Sequence, residues 1–196
     1  MEKVILTEED VLGKGTNKIC YFYPGDNTKC IKFSLDATDE KDLNYELRFR
    51  KICENRIKSS TLLTKYYGVV QTNKGIGHVF EVVRDFDGKI SETFLSFVCR
   101  EKDSSLIQEI LVDFRQKMFA EAVVTYKIFL DNILVQRIAE REMVVRIIDG
   151  IGMHVLFPLP YYSKFLTKKH QQKIWNDFMK KCSDEYGLNV PLELKA

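Results

Sequence analysis

The sequence predicts an α+β fold in which a strand-rich first half carries one helix and the second half is mainly helical. Three observations point that way. From Val4 to about Val83, short apolar runs alternate with turn signals. After Arg84-Asp85-Phe86-Asp87-Gly88 the apolar spacing changes to threes and fours. Within that later part, one β-branched hairpin interrupts the helical pattern.

In order, the strand candidates are Val4–Leu6 with Val11–Leu12, then Ile19–Tyr23, Cys30–Phe33, Tyr66–Gln71 and His78–Val83. Gly13/Gly15, Pro24-Gly25-Asp26-Asn27 and Asn73-Lys74-Gly75 separate them with turn chemistry. Between the third and fourth, Thr38 or Asp39 is placed to cap a helix running to about Ile57. Beyond the polar linker, Ile107, Ile110, Leu111, Phe114, Met118 and Phe119 mark a helix from about Ser105 to Ala122. Ile133–Gln136 and Val144–Ile148 then form a hairpin around Ala139-Glu140-Arg141-Glu142. A last helix, Thr167 to Tyr186, gathers Ile174, Trp175, Phe178, Met179, Cys182 and Tyr186 on one face.

The chain of 196 residues is read as a single domain, residues 1–196. Thirty basic and twenty-eight acidic side chains leave a charge of +2, too little for binding nucleic acid by bulk electrostatics. Early charges at Glu2, Lys3, Glu8, Glu9 and Asp10 exclude a signal-peptide core, and no apolar run spans a bilayer. A cytoplasmic protein is therefore expected. Five scattered cysteines without a CxxC pair argue for reduced thiols rather than a disulfide framework or a zinc site.

The chemistry lies in an ordered set of residues. Gly13 and Gly15 sit between two strands, where glycine brings backbone amides close to a phosphate. Lys32 ends an apolar strand and could reach the phosphates of a nucleotide under that hairpin. Glu46, on the following helix, is the natural partner for its ammonium, with Glu40 and Glu54 as alternatives. Asn132 precedes one strand and Asp149 ends the next, an oxygen pair suited to Mg²⁺. Taken one at a time, each has an ordinary reading as a turn glycine, an edge lysine, a solvated glutamate or a turn cap. The last helix also carries Lys168, Lys169, His170, Lys173, Lys180 and Lys181, ordinarily a solvated face and less often a contact for an anion, RNA or a membrane surface. His78, His154 and His170 are too scattered for a metal or general-base role.

The order Leu12-Gly13-Lys14-Gly15, Cys30-Ile31-Lys32, Tyr45-Glu46-Leu47, Asn132-Ile133-Leu134, Asp149-Gly150-Ile151-Gly152 resembles the protein-kinase-like superfamily. Tyr67 to Gly77 and Asp85-Phe86-Asp87-Gly88-Lys89 make the chain similar, more closely, to the YrbL family of PhoP regulatory network proteins. The resemblance runs from Leu12 to about Trp175. It implies a two-lobed fold: a five-stranded N-lobe with one helix over about 1–84, a hinge at about 84–89, and a reduced, mainly helical C-lobe over about 90–196. It also implies an ion pair of Lys32 with Glu46, metal ligands Asn132 and Asp149, and an adenine over Phe80–Arg84, where Glu81 and Val83 would bind it.

The departures bear on mechanism. The superfamily's catalytic aspartate, five residues before the metal-binding asparagine, is replaced by Lys127, and Phe129 stands where a lysine is usual. A lysine serves as a base only if its pKa falls greatly. Asp131 is the nearest spare carboxylate, so Lys127 and Asp131 are the catalytic candidates. Gly150 replaces the phenylalanine of Asp-Phe-Gly, and the segment from Gly152 to Lys164 is too short for a full activation loop. The resulting expectation is a protein that binds ATP and Mg²⁺ with weak or unconventional phosphotransfer. The alternative is an inactive pseudokinase acting as a regulatory module for a protein partner. Nucleic acid is not expected as a partner.

Overall fold

The computed structural model describes residues 3–56, 60–101, 103–152 and 163–188. The first half forms β1 (Val11–Lys14), β2 (Lys18–Tyr23), β3 (Asp26–Ser34), α1 (Ala37–Arg56), β4 (Tyr66–Thr72) and β5 (Gly75–Glu81). All strand pairs are antiparallel, in the order β1-β2-β3-β5-β4. The crossover through α1 thus skips the place that β5 fills. Val4–Leu6, expected as strand, makes only a single parallel bridge, from Val4 to Thr72. Beyond that bridge a side chain replaces the ladder: Asn73 accepts from the Leu6 N–H at 2.9 Å and donates to its carbonyl at 3.0 Å. The fifth strand starts at Gly75 and stops at Glu81, short of the expected Val83. Thr38 and Asp39 fall inside α1, which begins at Ala37, and its expected end at Ile57 lies outside the described residues.

The chain divides into two compact units, Met1–Tyr45 with Thr64–Val83, and Glu46–Leu63 with Arg84–Ala196. In the first, Leu6, Tyr21, Ile31 and Val79 form the core, with Val11, Ile19, Phe33 and Val70 against it. Gly77 is fixed by close approach: a β-carbon there would lie 2.3 Å from Ile31 Cγ2 and 2.8 Å from Phe33 Cζ.

The second unit contains β6 (Glu92–Thr93), α2 (Phe94–Arg100), α3 (Ser104–Ala120), β7 (Ile133–Ala139), β8 (Glu142–Ile147) and α4 (Lys164–Tyr186). The three strands pair antiparallel in the order β6-β7-β8. Neither β6 nor α2 was expected; both are too short for periodicity to mark. Thr93 caps α2 by accepting from the Ser96 N–H, and Asp103 caps α3 by accepting from Ser105 and Leu106. Packing of α3 on α4 is aromatic: Phe114 meets Trp175 edge-on at 5.8 Å and Phe178 at 6.4 Å between ring centroids. All five cysteines are free thiols; Cys30, Cys53 and Cys182 are buried, Cys20 is half-buried and Cys99 is exposed. Burial pushes the Cys30 and Cys182 thiols up to about 12.

The segment after β5 is built rather than slack. Gly88 donates to the Asp85 carbonyl, and Arg84 bridges to Ile90. Arg137 of β7 grips the turn, donating from Nε to Asp85 at 2.8 Å and from an Nη to Asp87 at 2.6 Å, with its guanidinium 5.3 Å from the Phe86 ring centroid. Ser91 donates to Asp85 at 2.6 Å. Burial on its own would raise the Asp85 carboxyl. The hydrogen bonds from Ser91 and Arg137 and the guanidinium charge outweigh it and hold the group below its ordinary value.

Two outcomes follow from this packing. Gly77→Ala overpacks the first unit and should cost about 1–3 kcal/mol in urea unfolding. Because the folded-state pKa of Asp85 is depressed, its ionised form stabilises the fold above the unfolded value of about 4, and that contribution is lost as pH falls through the folded value. Asp85→Asn should therefore be less stable than the wild type at pH 7, with the gap in urea midpoints closing as the pH drops below about 4.

Candidate functional site

In the second unit, β7 and β8 bring the two expected metal ligands together. Ile133 pairs with Ile147, and one step beyond the ladder Ile148 donates its N–H to the Asn132 carbonyl at 3.0 Å. The residue that follows is Asp149, half-buried, whose Oδ1 accepts the Gly150 N–H at 2.8 Å. Gly150 has φ +85°, and a β-carbon there would lie 3.2 Å from the Lys127 carbonyl oxygen and 3.9 Å from Asn132 Nδ2. The missing side chain and the positive φ thus let the strand end approach the loop at Lys127, while the Asn132 amide lies at ordinary contact distance.

The loop before β7 is held by pairing. Thr125 bridges to Ile151, Tyr126 donates to the Gly150 carbonyl, and Gly152 donates to Val124. From the other side α4 fastens the same stretch. Buried Gln171 donates to the carbonyls of Met118 at 2.7 Å and Val123 at 2.9 Å, and His170 Nε2 lies 2.9 Å from the Thr125 carbonyl. Lys127 and Asp131 are both exposed. The Lys127 ammonium sits 4.6 Å from the Phe129 ring centroid, and Lys181 lies 4.9 Å from the same ring.

Behind Asp149 stands α1. Gly152 (φ +122°) packs on Phe49, with 3.1 Å from its would-be β-carbon to the ring. The next residue, Arg50, is 1% exposed and reaches Glu46 at 3.9 Å, one turn earlier and 4% exposed. Burial pulls the Arg50 guanidinium below its ordinary value, while the nearby charges of Glu46, Glu54 and Asp149 oppose that shift. Sequence reasoning missed Arg50, although its i, i+4 spacing from Glu46 was available as a signal. Among the described residues, no three or more His, Cys, Asp and Glu side chains gather as a metal-binding group. Asn132 and Asp149 bring one amide and one carboxylate to neighbouring strand ends.

The first unit places its own candidates. Gly13 lies in β1 at a register shift, and Gly15 closes the turn to β2 by donating to the Lys18 carbonyl at 2.9 Å. Lys32 lies inside β3 rather than at its end, opposite Cys20 and His78. It is 7% exposed, with its ammonium 4.7 Å from the Phe80 ring centroid. Glu81 exchanges backbone and carboxylate hydrogen bonds with Lys65, Val82 donates to Thr28, and Val83 is buried. Of the three histidines, His154 lies outside the described residues, as do residues 153–162 of the segment expected to be too short for an activation loop. His78 hydrogen-bonds Tyr66 at 3.1 Å.

Fold and site thus define an α+β protein with an amide and a carboxylate at paired strand ends, backed by a buried ion pair. The chain belongs to the family described as PhoP regulatory network protein YrbL, whose model matches residues 4–183. It is similar to the uncharacterized protein YrbL of Escherichia coli (strain K12), at 33% identity over 179 residues covering 89% of this chain and 85% of that protein. The same identity and coverage relate it to uncharacterized protein YrbL of Shigella flexneri. Among the described residues, no helix is long and apolar enough to cross a membrane.

Breaking one side of a buried ion pair costs about 3–5 kcal/mol, because the remaining charge is left in a poor solvent. Glu46→Gln and Arg50→Met should each lose stability of that order in urea. The double variant should lose clearly less than the two losses added together; strictly additive losses would show that the two charges are not coupled.

Proposed function

We propose that the chain is a kinase-like nucleotide-binding protein that takes ATP with Mg²⁺ and transfers phosphate weakly or by an unconventional route. In this reading the first unit is the counterpart of a kinase N-lobe and the second of a reduced C-lobe. Gly13, Gly15, Lys32, Glu46, Glu81 and Val83 would serve the nucleotide, and Asn132 and Asp149 the metal. The observation that carries the reading is the pairing that sets Asn132 beside the strand end bearing Asp149. One amide oxygen and one carboxylate are what a hard cation needs from protein when phosphate and water supply its remaining ligands. Mg²⁺ there would neutralise charge on the phosphates, and Lys32 would add a fixed cation to the same task.

A second reading has its own support. Lys127 occupies the position where a carboxylate base would accept a proton, and its ammonium lies over the Phe129 ring. An ammonium there accepts no proton, which favours a regulatory pseudokinase that binds a protein partner. The family description, a PhoP regulatory network protein, is consistent with such a role.

Calorimetric titration of ATP with and without Mg²⁺ tests the first reading. Metal-dependent binding is expected in the wild type, falling at least tenfold in Lys32→Ala and Asp149→Ala, a loss of about 1.4 kcal/mol or more. Wild-type affinity in both variants would sink it. Intact ATP affinity with no phosphate passed to the protein itself, other proteins or small molecules would select the regulatory reading.

A further inference from the structure

The outer face of α4 takes no part in either reading. Phe165, Lys169, Lys173 and Lys180 recur at spacings of four, four and seven residues, so they share one side of the helix, with Lys168 beside Phe165. All five are exposed, Phe165 at 74%. The opposite side, Thr167, Gln171, Ile174, Trp175, Phe178 and Cys182, is buried, so the lysines cannot turn inward. No acidic residue occurs in α4 before Asp177, so the lysines from Lys168 to Lys173 form the undiluted part of the face, and Lys180 beyond them is flanked by the exposed Asp177 and Asp184. The neighbouring helix does not neutralise the patch either: Arg115 of α3 adds a cation, donating to Gln172 at 3.2 Å. The nearby Asp113 is bonded to Lys117 at 2.7 Å. In a chain with a charge of only +2, this positive field is therefore local.

We propose that this face docks on an anionic lipid bilayer, the lysines lying over the headgroups and Phe165 entering the interface at one end. Charge complementarity selects a polyanion, and the make-up of the face selects the bilayer. Its cations on α4 are all lysines, point charges suited to a diffuse field, and the fork of Arg115 beside them is directed at Gln172 rather than outward to read phosphates or bases bidentately. The exposed aromatic ring at the end of a lysine row fits the headgroup boundary, where aromatic side chains partition. A lysine near an anionic surface contributes roughly fivefold in affinity, so the row accounts for weak, salt-sensitive and reversible docking rather than permanent anchoring.

Co-sedimentation of the full chain with phosphatidylcholine vesicles, with and without phosphatidylglycerol, tests the proposal. Binding is expected only to the anionic vesicles, and should disappear at about 1 M salt, where the Debye length is about 3 Å. Lys168→Glu/Lys169→Glu/Lys173→Glu should weaken it on the order of a hundredfold or more while leaving the melting temperature near that of the wild type. In Phe165→Trp, emission should shift to the blue on adding anionic vesicles, over a background from the buried Trp175. Absence of binding, binding unchanged in the triple variant, or an unshifted emission spectrum of the Phe165→Trp variant would overturn the proposal. So would tighter binding to single-stranded RNA than to vesicles at the same salt, since the patch would then serve a nucleic acid.

Discussion

A guanidinium that water barely reaches sets the terms for the site. Arg50 has 1% of its surface exposed, and a charge removed from water to that degree persists only among opposite charges. Glu46 supplies one of these from the preceding turn of α1, Glu54 another from the following turn, and the charge of Asp149, just beyond β8, adds a smaller share. The need to surround one cation thus ties a helix in the first half of the sequence to a strand end far along the chain. Phe49 reinforces the tie by occupying the space that Gly152 leaves open. The carboxylate and amide at the paired strand ends are in this way given a fixed backing.

The loop carrying Lys127 is held by a different kind of force. Its leading edge pairs with residues 150–152, and Gln171 reaches from α4 to the carbonyl of Met118, which also accepts the Val123 N–H, and to that of Val123 just beyond α3. Gln171 can do so only because the aromatic contacts of Phe114 with Trp175 and Phe178 set α4 against α3. Apolar packing supplies the proximity, and a side-chain amide converts it into a specific alignment of backbone.

The large elements were legible because their patterns are long. Five strands, α1, α3, the β7–β8 hairpin and α4 all announced themselves through periodicity and turn chemistry. The two short elements, β6 and α2, did not, since nine residues give no repeat to read. Val4–Leu6 looked like a strand because its composition is that of one, yet only Val4 bridges to the sheet, and the Asn73 side chain satisfies the Leu6 backbone instead. For the site, the closeness of Asn132 and Asp149 followed from hairpin register, which a sequence can encode through pairing of apolar runs. Arg50 was passed over because a charged residue on a helix reads as solvated until tertiary contacts bury it. The grip of Arg137 on Asp85 and Asp87 was invisible for a related reason: the partners lie far apart in sequence, and no local rule connects them.

The division at Tyr45/Glu46, Leu63/Thr64 and Val83/Arg84 has a consequence for how the molecule is made. Each unit is assembled from stretches that are interleaved along the gene, so no single uninterrupted fragment encodes either one. During synthesis the second part of α1 leaves the ribosome well before β8, and Arg50 must wait for Asp149 while the whole five-stranded sheet is being completed. Such long-range closure slows folding relative to local helix formation. A cut at Val83/Arg84 would accordingly separate Arg50 from Asp149, and a workable two-piece version would have to carry the part of α1 from Glu46 onward with the later half of the chain.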